Sequence, residues 1–92
     1  MNEQQVNIKM DDQVAKGSYV NNLLVSHTKD EFIMDFISLF APQGSVVARI
    51  FTTPGHMKRI NNALTENIEN YEKQFGKIDE SDLPEQKIGF KK

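Results

Sequence analysis

The chain has no cysteine and no tryptophan among its 92 residues. Without cysteine it can form neither disulfides nor thiolate metal sites, and the composition suits a reducing compartment. Histidine is almost as scarce. His27 and His56 stand far apart, with no ligand spacing of the kind a zinc site uses. No apolar run approaches the roughly 18 residues needed to cross a bilayer. The first dozen residues, MNEQQVNIKMDD, lack the apolar centre of a signal peptide. A cytoplasmic protein with no membrane association is expected.

Motifs of catalysis are lacking too. No glycine-rich phosphate loop is present, and no serine or threonine sits in a nucleophile context. Glu31 and Asp35 would share a strand face with Ile33 and Ile37, which suits an edge or a contact better than an acid–base pair. No catalytic, cofactor-binding or metal residue is assigned, and the protein is not expected to be an enzyme.

Charge of either sign is modest in total, with a net of −2, but it is unevenly placed. Residues 1–44 carry −3, and residues 61–92 carry −2. Between them, residues 45–60 contain Arg49, Lys58 and Arg59 and no acid, for a local charge of +3. A globally acidic chain is poorly suited to non-specific nucleic-acid binding, which depends on phosphate neutralisation.

Ninety-two residues make one domain by length. Its pattern predicts a flexible start (1–4), a single α+β domain (5–78) and a flexible polar tail (79–92) with scattered Ile88 and Phe90. Val6, Ile8 and Met10 alternate with polar residues, as in a short half-buried strand. Asp11-Asp12 breaks that pattern, and Gly17 marks a turn or bulge. Ser18–Ser26 reads as a second strand, although its two asparagines are unusual there. His27–Asp30 makes a polar hairpin link to a third strand, and Ala41-Pro42-Gln43-Gly44 a turn into a fourth, Ser45–Thr53.

The expected fold is thus a four-stranded antiparallel meander followed by one long helix packed on one face. Thr53-Pro54 supplies an N-cap hydroxyl and a proline at the first helical position. Met57, Ile60, Leu64, Ile68, Tyr71 and Phe75 follow at spacings of three and four, forming one apolar stripe. Gly76 is a natural left-handed stop. The helix, about 33 Å long at 1.5 Å per residue, would outrun most strands of such a sheet.

The third strand carries the strongest signal. In Glu31–Phe40 (EFIMDFISLF), Phe32, Met34, Phe36 and Phe40 fall on one side and Ile33, Ile37 and Leu39 on the other. A strand apolar on both sides needs cover on both, and the chain offers one helix. The second face therefore points to a partner, most simply another copy, with Ile33, Ile37 and Leu39 as the expected oligomer interface. A homodimer is the simplest form.

Two further surfaces stand out. Arg49, Thr53, His56, Lys58 and Arg59 surround the strand-to-helix junction, where free N–H groups and the helix dipole attract an anion or an acidic partner. The plain reading is a capped helix with solvated basic residues. The functional reading predicts that reversing Lys58 and Arg59 spares the free protein but weakens partner binding. Tyr19, Asn21 and Asn22 are a second candidate surface. An aromatic beside amides can stack on and hydrogen-bond bases, or form a polar interface rim, which is the favoured alternative given so few nearby cations.

Gly17-Ser18-Tyr19-Val20-Asn21, Glu31-Phe32 with Asp35-Phe36, Ala48-Arg49-Ile50 leading to Thr53-Pro54, and Lys58-Arg59 with Ala63-Leu64 form a combined pattern. Asn67-Ile68, Tyr71-Glu72 and Phe75-Gly76 complete it. Over about residues 5–78 it resembles an uncharacterised family of short bacterial proteins, a domain of unknown function numbered 3467. The resemblance implies no activity, cofactor or catalytic residue. The resemblance also implies a gene neighbourhood, in some bacteria, beside the genes for RNA polymerase large subunits, which points to transcription. The order of four strands and a helix is also similar to that of single-stranded-DNA-binding transcription coactivators and of the SecB export chaperone. The functional expectation is a non-enzymatic interaction or assembly protein, a homo-oligomer and an accessory of RNA polymerase. The alternative is a single-stranded nucleic-acid binder that uses its sheet face.

Overall fold

A computed structural model describes residues 4–40 and 42–80. Most of the expected flexible start (1–4) and polar tail (79–92), and Ala41 in the second turn, lie outside the described residues. The chain runs α1 (Asp12–Ala15), β1 (Asn22–His27), β2 (Phe32–Phe40), β3 (Gln43–Thr52) and α2 (Pro54–Phe75). The class is α+β: an antiparallel sheet in the order β1-β2-β3, followed by one long helix. Contacts divide the chain after Met57 into two compact units, a sheet unit and a helix unit.

Among the described residues the expected first strand at Val6–Met10 is not seen, and the sheet they form has three strands and not four. Residues 4–11 have no regular structure, and Val6, Ile8 and Met10 are 78%, 89% and 67% exposed. Three alternating apolar residues favour an extended chain locally, but a strand persists only where a ladder partner accepts its backbone bonds. Downstream, Asp11 and Asp12 do not simply interrupt a strand. They open the one-turn α1, in which Ala15 N–H donates to Asp11 O at 2.9 Å. Gly17 ends this segment at φ 76, a left-handed conformation that glycine adopts without a Cβ clash.

β2 forms the middle of the sheet because it alone is paired on both sides. Its register sets Leu23, Val25 and His27 of β1 beside Phe36, Met34 and Phe32, with Ala48, Ile50 and Thr52 of β3 across from them. This is one face. The other combines Leu24 and Asn22 with Ile33, Asp35 and Ile37, and adds Phe51, Arg49 and Val46. The ladder shifts between Phe36 and Ile37, leaving Val47 as the extra residue of a bulge on β3. Among the described residues the buried apolar side chains are Met34 and Ile37, at 6% and 3% exposure, both on β2.

The turns follow their side-chain chemistry. Between β1 and β2, Thr28 N–H donates to Glu31 O at 2.9 Å, while Thr28 Oγ1 accepts from the N–H groups of Asp30 and Glu31. Between β2 and β3, Gln43 and Gly44 are already paired with Phe40 and Leu39, so β3 starts two residues earlier than its pattern suggests. Gly44 leaves room there for the end of the Leu39 side chain, which a larger residue would make shift. A Cβ at that position would lie 2.7 Å from Leu39 Cδ1.

β1 begins four residues later than expected, at Asn22, and Asn21 explains the boundary. Its N–H donates to Ile37 O at 3.0 Å. Beyond that point its side chain takes over the role of a backbone: Nδ2 donates to Leu39 O at 2.9 Å, and Oδ1 accepts from Leu39 N–H at 2.8 Å. One amide thus extends the ladder along β2 by one more residue pair.

α2 matches its expected span. Thr53 Oγ1 accepts from His56 N–H at 3.2 Å, the N-cap bond, and Met57 N–H donates to Thr53 O at 2.9 Å. At the far end Gly76 has φ 96, and its N–H donates to Glu72 O at 2.9 Å. Glu72 Oε2 then accepts from Ile78 N–H at 2.8 Å, turning the following residues back beside the last turn.

The Asn21 clamp can be tested. Each net hydrogen bond is worth about 0.5–1.5 kcal/mol, so Asn21→Ala is expected to lower stability by about 1–2 kcal/mol. Asn21→Asp keeps the acceptor but sets a carboxylate against the Leu39 carbonyl, and is expected to be no better than alanine. Urea midpoints of the three proteins decide. An Asn21→Asp variant as stable as the parent would mean that the Nδ2–Leu39 bond contributes nothing.

Candidate interaction site

Asp35 lies at the centre of the sheet unit and is 5% exposed. A buried carboxylate needs a partner, and the register supplies one directly opposite in Arg49. The contact is two-pronged: Arg49 Nε donates to Asp35 Oδ1 at 2.7 Å, and NH2 donates to Oδ2 at 3.0 Å. This fork-to-fork geometry is the strong form of the arginine–carboxylate bond. The hydrogen bonds to Arg49 hold the Asp35 carboxyl below its ordinary range, against the opposing effect of desolvation, with the guanidinium charge adding to the lowering. The same bonds raise Arg49 further.

Arg49 was grouped by sequence with the basic junction. The structure engages its charge with Asp35, so its guanidinium is already neutralised within the sheet. Thr53 is engaged as the cap of α2. His56, Lys58 and Arg59 are exposed on the first turns of α2, and no acid lies in its first turn. Positive side chains at a helix N-terminus are unfavourable unless something negative lies beside them.

The second surface is similarly redistributed. Asn21 is bonded to Leu39, and Asn22 Nδ2 donates to Asn21 Oδ1 at 3.2 Å. Tyr19 remains exposed. Of the three expected interface residues, Ile37 is buried, whereas Ile33 and Leu39 are half-buried. The opposite sheet face exposes Leu23, Val25 and Ile50. That exposure follows from the register, which the apolar pattern of β2 alone did not reveal.

In the helix unit, Leu64, Ile68, Tyr71 and Phe75 are exposed between 49% and 67%. The rings of Tyr71 and Phe75 touch in a tilted arrangement, with centroids 5.0 Å apart. Ile68, Glu72 and Ile78 border a shallow groove there. Among the described residues no group of three or more His, Asp or Glu side chains could hold a metal ion, and no helix is long and apolar enough to cross a membrane. The described residues offer surfaces for apolar contact and for charge pairing.

The Asp35–Arg49 pair predicts a specific pH response. Because the folded carboxyl titrates below its unfolded value, the pair's contribution is complete above the unfolded value, near pH 4. It is lost as pH falls through the lower folded value. Asp35→Asn is expected to be less stable than the parent at pH 7 and to show a flatter fall in urea midpoint between about pH 4 and pH 2. An equal slope in both proteins would place the acid sensitivity elsewhere.

No curated protein and no solved structure matches the chain. A family model described as "Protein of unknown function (DUF3467)" matches residues 1–80. Since that match spans most of its length, the chain belongs to the DUF3467 family.

Proposed function

We propose that this protein is a non-enzymatic assembly module that acts as a homo-oligomer. One observation carries the reading. Among the described residues two apolar side chains are buried, while large apolar groups stay exposed both on the sheet (Leu23, Val25, Ile50, Phe51) and along α2 (Leu64, Ile68, Tyr71, Phe75). Exposed patches of this kind mark interaction surfaces on soluble proteins. A core so small leaves little to offset the conformational entropy of folding. Cover from another copy supplies what the single chain lacks, whether over the sheet, the helix or both.

The partner class beyond self-assembly is the transcription machinery of a bacterial cytoplasm. That choice is supported by the gene neighbourhood attached to the family resemblance. Lys58 and Arg59, exposed and without a nearby acid in the first turn, suit an acidic partner surface. The nucleic-acid reading loses one of its contacts, because the Asn21 amide is bonded to Leu39 and is not free to read a base.

Light scattering on the full chain at micromolar concentration is expected to give at least twice the monomer mass. A monomer under those conditions overturns the assembly reading. Purified bacterial RNA polymerase core is expected to retain the chain, whereas a labelled oligothymidine is expected not to bind. Tight oligothymidine binding that falls steeply with salt would favour the nucleic-acid reading instead.

A further inference from the structure

We infer that α2 is the seam of the assembly and that two copies pair through it antiparallel, about a two-fold axis level with Glu66. This rests on the proposed self-assembly and assigns it an interface. Three features of α2 lead to it: an exposed stripe, the symmetry of that stripe, and the placement of charge.

The stripe of Met57, Ile60 and Leu64 recurs eleven residues later as Ile68, Tyr71 and Phe75. An eleven-residue repeat is close to the natural turn of the helix, so the stripe runs nearly parallel to the axis and does not wind around it. It can therefore meet a second straight helix along its full length. Its last four members are the exposed ones.

The stripe also reads almost alike in both directions. Counted from Glu66, Met57 and Phe75 lie nine residues to either side, Leu64 and Ile68 two, and Ile60 and Tyr71 six and five. Reversing a second copy about that level sets Met57 beside Phe75, Ile60 beside Tyr71 and Leu64 beside Ile68. A self-complementary patch of this kind is what a two-fold interface requires.

Charge selects the direction. The first half of α2, residues 54–64, carries Lys58 and Arg59 and no acid; the second half, 65–75, carries Glu66, Glu69 and Glu72 against Lys73. The helix is neutral overall, +2 in one half and −2 in the other. This distribution largely opposes its own dipole, which favours acids near the start and bases near the end. A parallel copy would set like halves together. An antiparallel copy brings the acidic half of each beside the basic half of the other and opposes the two dipoles. Lys58, which flanks the stripe on the same side as Glu72, then lies beside the acidic half of the second copy.

The absence of cysteine makes the geometry measurable. Full-length Met57→Cys and Phe75→Cys variants are mixed under reducing conditions and then oxidised, with each variant oxidised alone alongside. The expected product is a disulfide between the two variants. Neither should link to itself, because in an antiparallel pair the two copies of either position lie about 27 Å apart along the axis, beyond the reach of a disulfide. Leu64→Asp, with unchanged circular dichroism, is expected to be monomeric by light scattering at a concentration where the parent is dimeric. If Leu64→Asp does not fold, the linking pattern decides. Self-linking of Met57→Cys at the yield of the mixture overturns the antiparallel assignment. A parent oligomer that survives Leu64→Asp and gives no link in the mixture places the seam on the sheet, overturning this inference but not the assembly reading. A monomeric parent overturns both.

Discussion

The sheet depends on β2 being paired on both sides. Its two ladders fix the register of β1 and β3, and every buried residue among those described, Met34, Asp35 and Ile37, lies on it. The flanking strands bury little of their own surface because each contributes one face partner and one edge. The central strand therefore gathers the apolar contact, and the carboxylate in its middle must be satisfied from within the sheet. Arg49 meets that need because the bulge at Val47 adjusts the register of β3 between Val46 and Ala48. A straight β3 paired through Ile37–Val46 would turn Arg49 to the other face, since a one-residue slip inverts every side chain.

The same pairing explains how the candidate site changed character. Sequence grouped Arg49, Thr53, His56, Lys58 and Arg59 because they are close in the chain and share a sign of charge. Folding draws Arg49 into the ion pair with Asp35 and uses the Thr53 hydroxyl to cap α2. All five stay exposed, but Arg49 and Thr53 are the two whose side chains are engaged in this way. Charge proximity along a strand says little about free charge, because the residue opposite is set by a partner strand that local spacing does not encode.

The helix was legible to the residue. Thr53-Pro54, six apolar positions at spacings of three and four, and Gly76 define Pro54–Phe75 by local physics alone: a cap bond, a stripe and a left-handed stop. The two-sided apolar pattern of Phe32–Phe40 was equally plain as a strand, and Thr28–Asp30 was correctly placed as a turn, although His27 before it belongs to β1. What could not be read locally was pairing. Val6, Ile8 and Met10 have the alternation of a strand but no ladder partner among the described residues, whereas Gln43 and Gly44 have turn chemistry but are recruited into β3 by Phe40 and Leu39. Asn21 is the instructive middle case. Its amide was recognised as needing partners, and the one it found is a strand edge.

Helix and sheet therefore pose different physical problems. The sheet unit satisfies its polar groups internally, through the Asp35–Arg49 fork, the Asn21 clamp and the Thr28 turn, and no buried side-chain polar atom among the described residues is left without a partner. Its unmet need is apolar cover. The helix unit has its ends capped, yet most of its stripe is exposed and its charges largely oppose its dipole. A second copy set antiparallel along α2 meets the apolar and the electrostatic need at once, which an indiscriminate apolar contact would not. Under that reading folding and association are linked, and the stability of the chain rises with its concentration.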